Sequence, residues 1–136
     1  MRFLVDTNVI SELRKGERAN PGVRSWFESV EDDALYLSVL VIGELRRGVE
    51  RIRRRDPAAG GNLDSWLTAV TTQHEARILP VTRKVAEAWG LFGVPDPVPV
   101  VDALLAATAL VHGLTVVTRN EADMARTGVD CMNPFS

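Results

Sequence analysis

Cysteine is almost absent from this chain: Cys131 is the single one among 136 residues. One thiol cannot close an intrachain disulfide and cannot build a structural zinc site, so a reducing cytoplasm is the expected setting. Long apolar runs are missing as well. Stretches such as Val39 to Ile42 and Leu104 to Ala107 fall far short of the ~20 residues that cross a bilayer. No secretory leader is expected, because a charge arrives before an apolar segment can develop at the N-terminus. Net charge is small, at −2, and as a sum it does not mark a nucleic-acid binder.

What is present is an ordinary globular balance, 46% apolar and 25% charged residues. That balance excludes wholesale disorder, and the length suits one domain spanning residues 1–136 with a real core. The basic residues are unevenly spread. Of 16, 14 are Arg, and six of those (Arg46, Arg47, Arg51, Arg53, Arg54 and Arg55) fall within ten positions. This stretch has two readings. It is a solvated helix face with Glu50 and Asp56 as partners, or a surface whose guanidinium groups track phosphates.

Hydrophobic periodicity divides the chain into alternating strands and helices. Arg2 to Val5, Leu35 to Ser38, Ile78 to Val81, Leu114 to Thr118 and Val129 to Met132 read as strands or short apolar pieces. Helical spacing runs through Val9, Ile10 and Leu13, through Trp26, Phe27 and Val30, and through Val41, Leu45 and Val49. It returns in Leu63, Trp66, Leu67 and Val70, in Val85, Ala86 and Trp89, and in Leu104 to Val111. Asp56 to Gly61 reads as a loop, and Val94 to Pro99 cannot be regular structure because proline lacks the amide donor. The alternation predicts an α/β fold, a short parallel sheet covered by helices on both faces in three layers.

In such sheets the functional crevice lies beyond the carboxyl ends of the strands. Asp6 follows the first strand. Asn120 and Asp123 follow the strand that ends at Thr118. Asp102 starts the Ala-rich helix, and Glu44 lies two turns into the helix after the second strand. Glu44 and Asp102 sit inside apolar stretches, where a carboxylate needs a partner or a metal. Each acid also has a plain reading: Asp102 as a helix-start residue, Asp6 as a turn residue, Asp123 as a surface acid. Together they suggest an anionic cluster. Two carboxylates ~5 Å apart repel by roughly 3 kcal/mol at an effective dielectric of about 20, which a cation relieves. The donors are all hard oxygens, so Mg²⁺ or Mn²⁺ is expected and not zinc. The chemistry implied is attack of water on a phosphodiester.

Asp6-Thr7-Asn8, then Ser38, Glu44-Leu45 and Gly48, then Val101-Asp102-Ala103 with Ala107-Thr108-Ala109, then Val117-Thr118-Arg119-Asn120, and finally Asn133-Pro134-Phe135 resemble the PIN-domain ribonucleases. The nearer likeness is to the VapC toxins in their FitB-like branch, and it covers almost the whole chain. The resemblance implies a PIN fold, a Mg²⁺- or Mn²⁺-dependent endoribonuclease, and a cognate VapB- or FitA-like antitoxin. It also implies a homodimer, with DNA reached only through the antitoxin. It assigns Asp6, Glu44 and Asp102 to the three invariant acids, with Asp6 and Asp102 as the direct metal ligands. Asp123 falls on the fourth acid and Asn120 on a neutral contact. The Thr7 and Thr118 hydroxyls would orient the carboxylates. Alternatives are a catalytically silent PIN-type binding module and a structure-specific DNA nuclease. A phosphatase of the haloacid-dehalogenase type is disfavoured, because it needs a second Asp where this chain has Asn8. His74 and His112 read as surface or helix-end residues. The three tryptophans read as core, with one of them able to line a groove for an antitoxin helix, and Cys131 reads as a buried filler.

Overall fold

Five short strands and seven helices follow one another in a computed structural model that describes residues 1–136. The order is β1 (Phe3–Val5), α1 (Thr7–Leu13), α2 (Pro21–Ser29), β2 (Leu35–Ser38), α3 (Val39–Arg55), α4 (Pro57–His74) and β3 (Ile78–Leu79). Then come α5 (Arg83–Trp89), α6 (Val100–His112), β4 (Thr115–Val117), α7 (Glu121–Ala125) and β5 (Cys131–Met132). Helix starts are written in short polar side chains. Asn20 accepts from the Gly22 and Val23 amides ahead of Pro21, Ser38 accepts from Leu40, and Thr82 accepts from Val85, each satisfying orphan donors of a first turn. Gly113 ends α6 in the left-handed region, at φ +66, a conformation that glycine adopts without a Cβ penalty.

The strands pair in the order β3-β2-β1-β4-β5, all parallel. Right-handed crossovers then put α1 to α4 on one face and α5 to α7 on the other. The packing agrees: α1 meets α2 and α3, α3 meets α4, and α6 meets α5 and α7. Leu4, Leu37, Leu67, Leu105, Val116 and Met124 are fully buried between the layers. The predicted three-layer α/β/α arrangement is therefore the fold. β1 lies centrally, and the chain order reverses on either side of it. The carboxyl ends of β1 and β4 are neighbours, with Val5 in register with Val117.

Several local expectations change. Asp56 to Gly61 is no loop. Asp56 alone separates α3 from α4, ending one helix and accepting from the Ala59 amide to start the next, with Pro57 in the first turn, where its missing amide costs nothing. The third and fourth strands are shorter than the apolar runs that announced them. Trp89 is 40% exposed and so lies outside the core, because α5 packs through Val85 and Ala88 instead. His74 ends α4 but is buried, with Nδ1 3.0 Å from the Val70 carbonyl oxygen. Cys131 is only half-buried.

Candidate active site

Asp6 is the first residue beyond β1 and the cap of α1. Its side chain is 5% exposed, so its oxygens depend on protein donors. Three are supplied: the Thr7 amide to Oδ1 at 2.7 Å, the fully buried Thr118 hydroxyl to Oδ2 at 2.7 Å, and Asn8 Nδ2 to Oδ2 at 3.4 Å. The Asp6 amide itself donates to the Val117 carbonyl at 2.9 Å. The carboxylate is thus tied to both neighbouring strand ends. The Thr7 hydroxyl donates to Glu44 Oε1 at 2.6 Å, which brings α3 into the same crevice. Both threonine hydroxyls therefore reach carboxylates.

Asp102 lies in the first turn of α6, on the other side of the sheet edge, and is half-buried. Burial pushes its carboxyl above the ordinary range, and the charges of Asp6, Asp123 and Glu44 push it further. Asp6 is raised as well. Burial is the leading cause and Glu44 adds to it, against the hydrogen bonds from Thr118, Thr7 and Asn8. Four acids from four separate segments thus act on one another across the ends of β1 and β4. Asp123 stands in the first turn of α7. Asn120, at the start of α7, is exposed. Its side chain makes no capping bond, while its amide donates to the Thr118 hydroxyl at 3.0 Å. The charge of Asp123 is among those that raise Asp102.

The donor set is carboxylate oxygen throughout, without histidine or cysteine. No three of these acids close into a ready-made cage for an ion. Hard oxygen donors of this kind suit a hard cation such as Mg²⁺, which retains several waters and takes one or two carboxylates. It does not fit zinc, which prefers nitrogen and sulfur in a closed tetrahedron.

Asn8 is a residue whose part the sequence reading missed. Its Nδ2 reaches Asp6 while its Oδ1 accepts from the Arg119 amide at 3.0 Å, so it clamps the segment after β1 to the segment after β4. The signal available was its place in Asp6-Thr7-Asn8, but its partner lies 111 residues away. Beside the acids, Thr7, Ser11, Arg14, Glu44, Gly48 and Trp66 border a hollow of about 180 Å³. A larger apolar groove of about 470 Å³ runs between α1, α2 and α4, walled by Ile10, Leu13, Trp26, Phe27, Trp66 and Val70.

Residues 3–129 match the family model of the PIN domain. Similar proteins include plasmid stability protein StbB of Pseudomonas syringae pv. tomato, 32% identical with 98% of each chain covered. VapC ribonuclease Y4jK of Sinorhizobium fredii is 31% identical over 98% of this chain and 97% of its own. Toxin FitB of Neisseria gonorrhoeae is 30% identical over 98% of each. The crystal structure of FitAcB from Neisseria gonorrhoeae superimposes with a TM-score of 0.88, at 30% identity and 97% coverage of both chains. The chain belongs to the PIN-domain family, in its VapC and FitB branch.

Proposed function

We propose that this protein is the toxin of a toxin–antitoxin pair and acts in the cytoplasm as a Mg²⁺- or Mn²⁺-dependent endoribonuclease. The observation that carries the reading is that Asp6 and Glu44 are linked through Thr7 beside the switch point of a parallel sheet, where open α/β folds hold their ligands, with Asp102 and Asp123 leading off the neighbouring segments. The names of the relatives VapC ribonuclease Y4jK and toxin FitB support it. Asp6 and Asp102 would hold the ion. When bound, the ion supplies a Lewis acid that activates water and offsets charge on the phosphodiester. The chain's own residues do the rest. Thr7, Thr118 and Asn8 hold Asp6 in one orientation. Glu44 has Oε1 occupied by Thr7, which leaves Oε2 to accept a proton from the attacking water, with Asp123 as the other candidate base.

The antitoxin would seat an apolar segment in the groove between α1, α2 and α4. Trp26 and Trp66 line it, and the Trp26 Nε1 is buried with no acceptor in this chain. A homodimer belongs to the same reading. Exposed Trp89, Leu91, Val94, Val100 and Leu110, on α5, α6 and their connection, offer apolar surface for it.

Cleavage of labelled RNA in magnesium tests the enzyme. Asp6→Asn and Asp102→Asn are each expected to lower the rate by about 100-fold or more, within the range of positioned catalytic groups. Chelation should abolish cleavage and magnesium restore it. Normal cleavage by either variant, or cleavage indifferent to chelator, would overturn the reading. Growth arrest on expression, relieved by the neighbouring upstream reading frame, tests the toxin role.

A further inference from the structure

The arginine-rich stretch of α3 is sorted by face. Arg46 lies 3.0 Å from Asp64 and 3.5 Å from Glu50, and Arg53 lies 2.6 Å from Asp64 and 2.7 Å from Glu50. These two fall about half a turn around the helix from Glu44 and are neutralised against α4. Arg47, Arg51, Arg54 and Arg55 are exposed and enter no ion pair. Arg51 and Arg55 stand seven and eleven residues beyond Glu44, which is about two and about three full turns. They share its stripe and lie about 10 Å and about 16 Å further along the axis. Gly48 occupies the stripe between Glu44 and Arg51, and the space beside it is open for 4 Å. Arg47 and Arg54 flank the stripe on its solvent side.

We infer that this stripe carries the RNA backbone away from the acid crevice, with Arg51 and Arg55 binding phosphates further along the strand on one side of the scissile one, beyond the nucleotides held in the crevice; this rests on the nuclease reading above. The helix dipole favours cations in a last turn, but its effect fades within that turn. It therefore accounts for Arg54 and Arg55 and not for Arg47 or Arg51. The acids Glu50 and Asp64 serve only the side away from Glu44, which leaves the unpaired guanidinium groups together on the side that leads to it. An acidic protein partner would need no continuity with the crevice. A polynucleotide does, because its phosphates follow one another from the reacting centre. Arginine suits them through bidentate, always-charged contacts.

The test compares wild type with an Arg51→Ala/Arg55→Ala double variant and an Arg46→Ala control, all with unchanged melting temperature. The substrates are a single-stranded RNA long enough to pass the end of α3 and a trinucleotide confined to the crevice, both in magnesium. For the long RNA the double variant should raise KM about tenfold at unaltered kcat. Its salt dependence should fall by about 0.7 in logarithmic slope per arginine removed. The trinucleotide and the control should stay within twofold of wild type. An unchanged KM and slope on the long RNA, in a preparation that still cuts it, would overturn the path while leaving the nuclease standing. So would weaker binding of the upstream-frame protein with RNA cleavage unchanged, which would assign the arginines to the partner. A wild type that cuts neither RNA would defeat the nuclease reading itself.

Discussion

Asp6 is nearly sealed from water, and burial raises its carboxyl even though three donors aim at its two oxygens. Removing one donor leaves a buried acceptor short, at a cost of about 1–3 kcal/mol. Thr118→Val keeps the volume and deletes the hydroxyl, so urea denaturation should show a loss of that size. Asp102 is raised as well, by burial first and then by the charges of three neighbouring acids. A folded-state pKa above the unfolded value means that the folded state binds more protons, and stability declines as pH rises through the window between the two. In chelator at neutral pH, Asp102→Asn should therefore melt higher than wild type. Near pH 4, about the ordinary carboxylate value, the gap should narrow. A gap that does not move with pH would show that Asp102 is not strained by its neighbours. The apolar flanks of Glu44 and Asp102 made these residues legible, because a charge in such company needs a reason. Nothing local marked Asn8 as a clamp, or His74 as buried.

At the scale of elements, the junction of α3 and α4 is where sequence punctuation misled. Pro57, Gly60 and Gly61 resemble loop residues, but each has a helical use. A Cβ on Gly60 would lie 2.6 Å from the Arg53 Cα, so the glycine is what lets the two helices approach. A Cβ on Gly61 would meet nothing within 4 Å. The two positions should therefore respond with opposite sign. Gly61→Ala should gain about 0.5–1 kcal/mol, as in any open helix. Gly60→Ala should lose about 1–3 kcal/mol through overpacking, which outweighs the same propensity gain. Equal shifts in denaturation midpoint would contradict the close packing. Strand β2 and the start of α2 were readable because caps, prolines and periodicity act within a few residues. The helix–helix contact that requires Gly60 is not encoded at that range.

Across the whole molecule, a net charge of −2 conceals a separation, with acids gathered in the crevice and unpaired arginines along one side of α3. Occupation of the crevice by magnesium should stabilise the fold by mass action, by about 2.7 kcal/mol at a hundredfold excess over Kd. A rise in melting temperature with magnesium is expected for wild type and not for Asp102→Asn. No rise in wild type would remove the metal from the mechanism. The chain's own order of residues determined the α/β class, the periodicity of the helices and which acids stand in apolar company, since these follow from spacing and side-chain chemistry a few residues apart. Only the tertiary structure decided that Asp6 meets Thr118, 112 positions away, and which arginines are left without partners. Those outcomes depend on β1 lying between β2 and β4 and on how α3 is rotated against α4, and both are settled by burying the shared core.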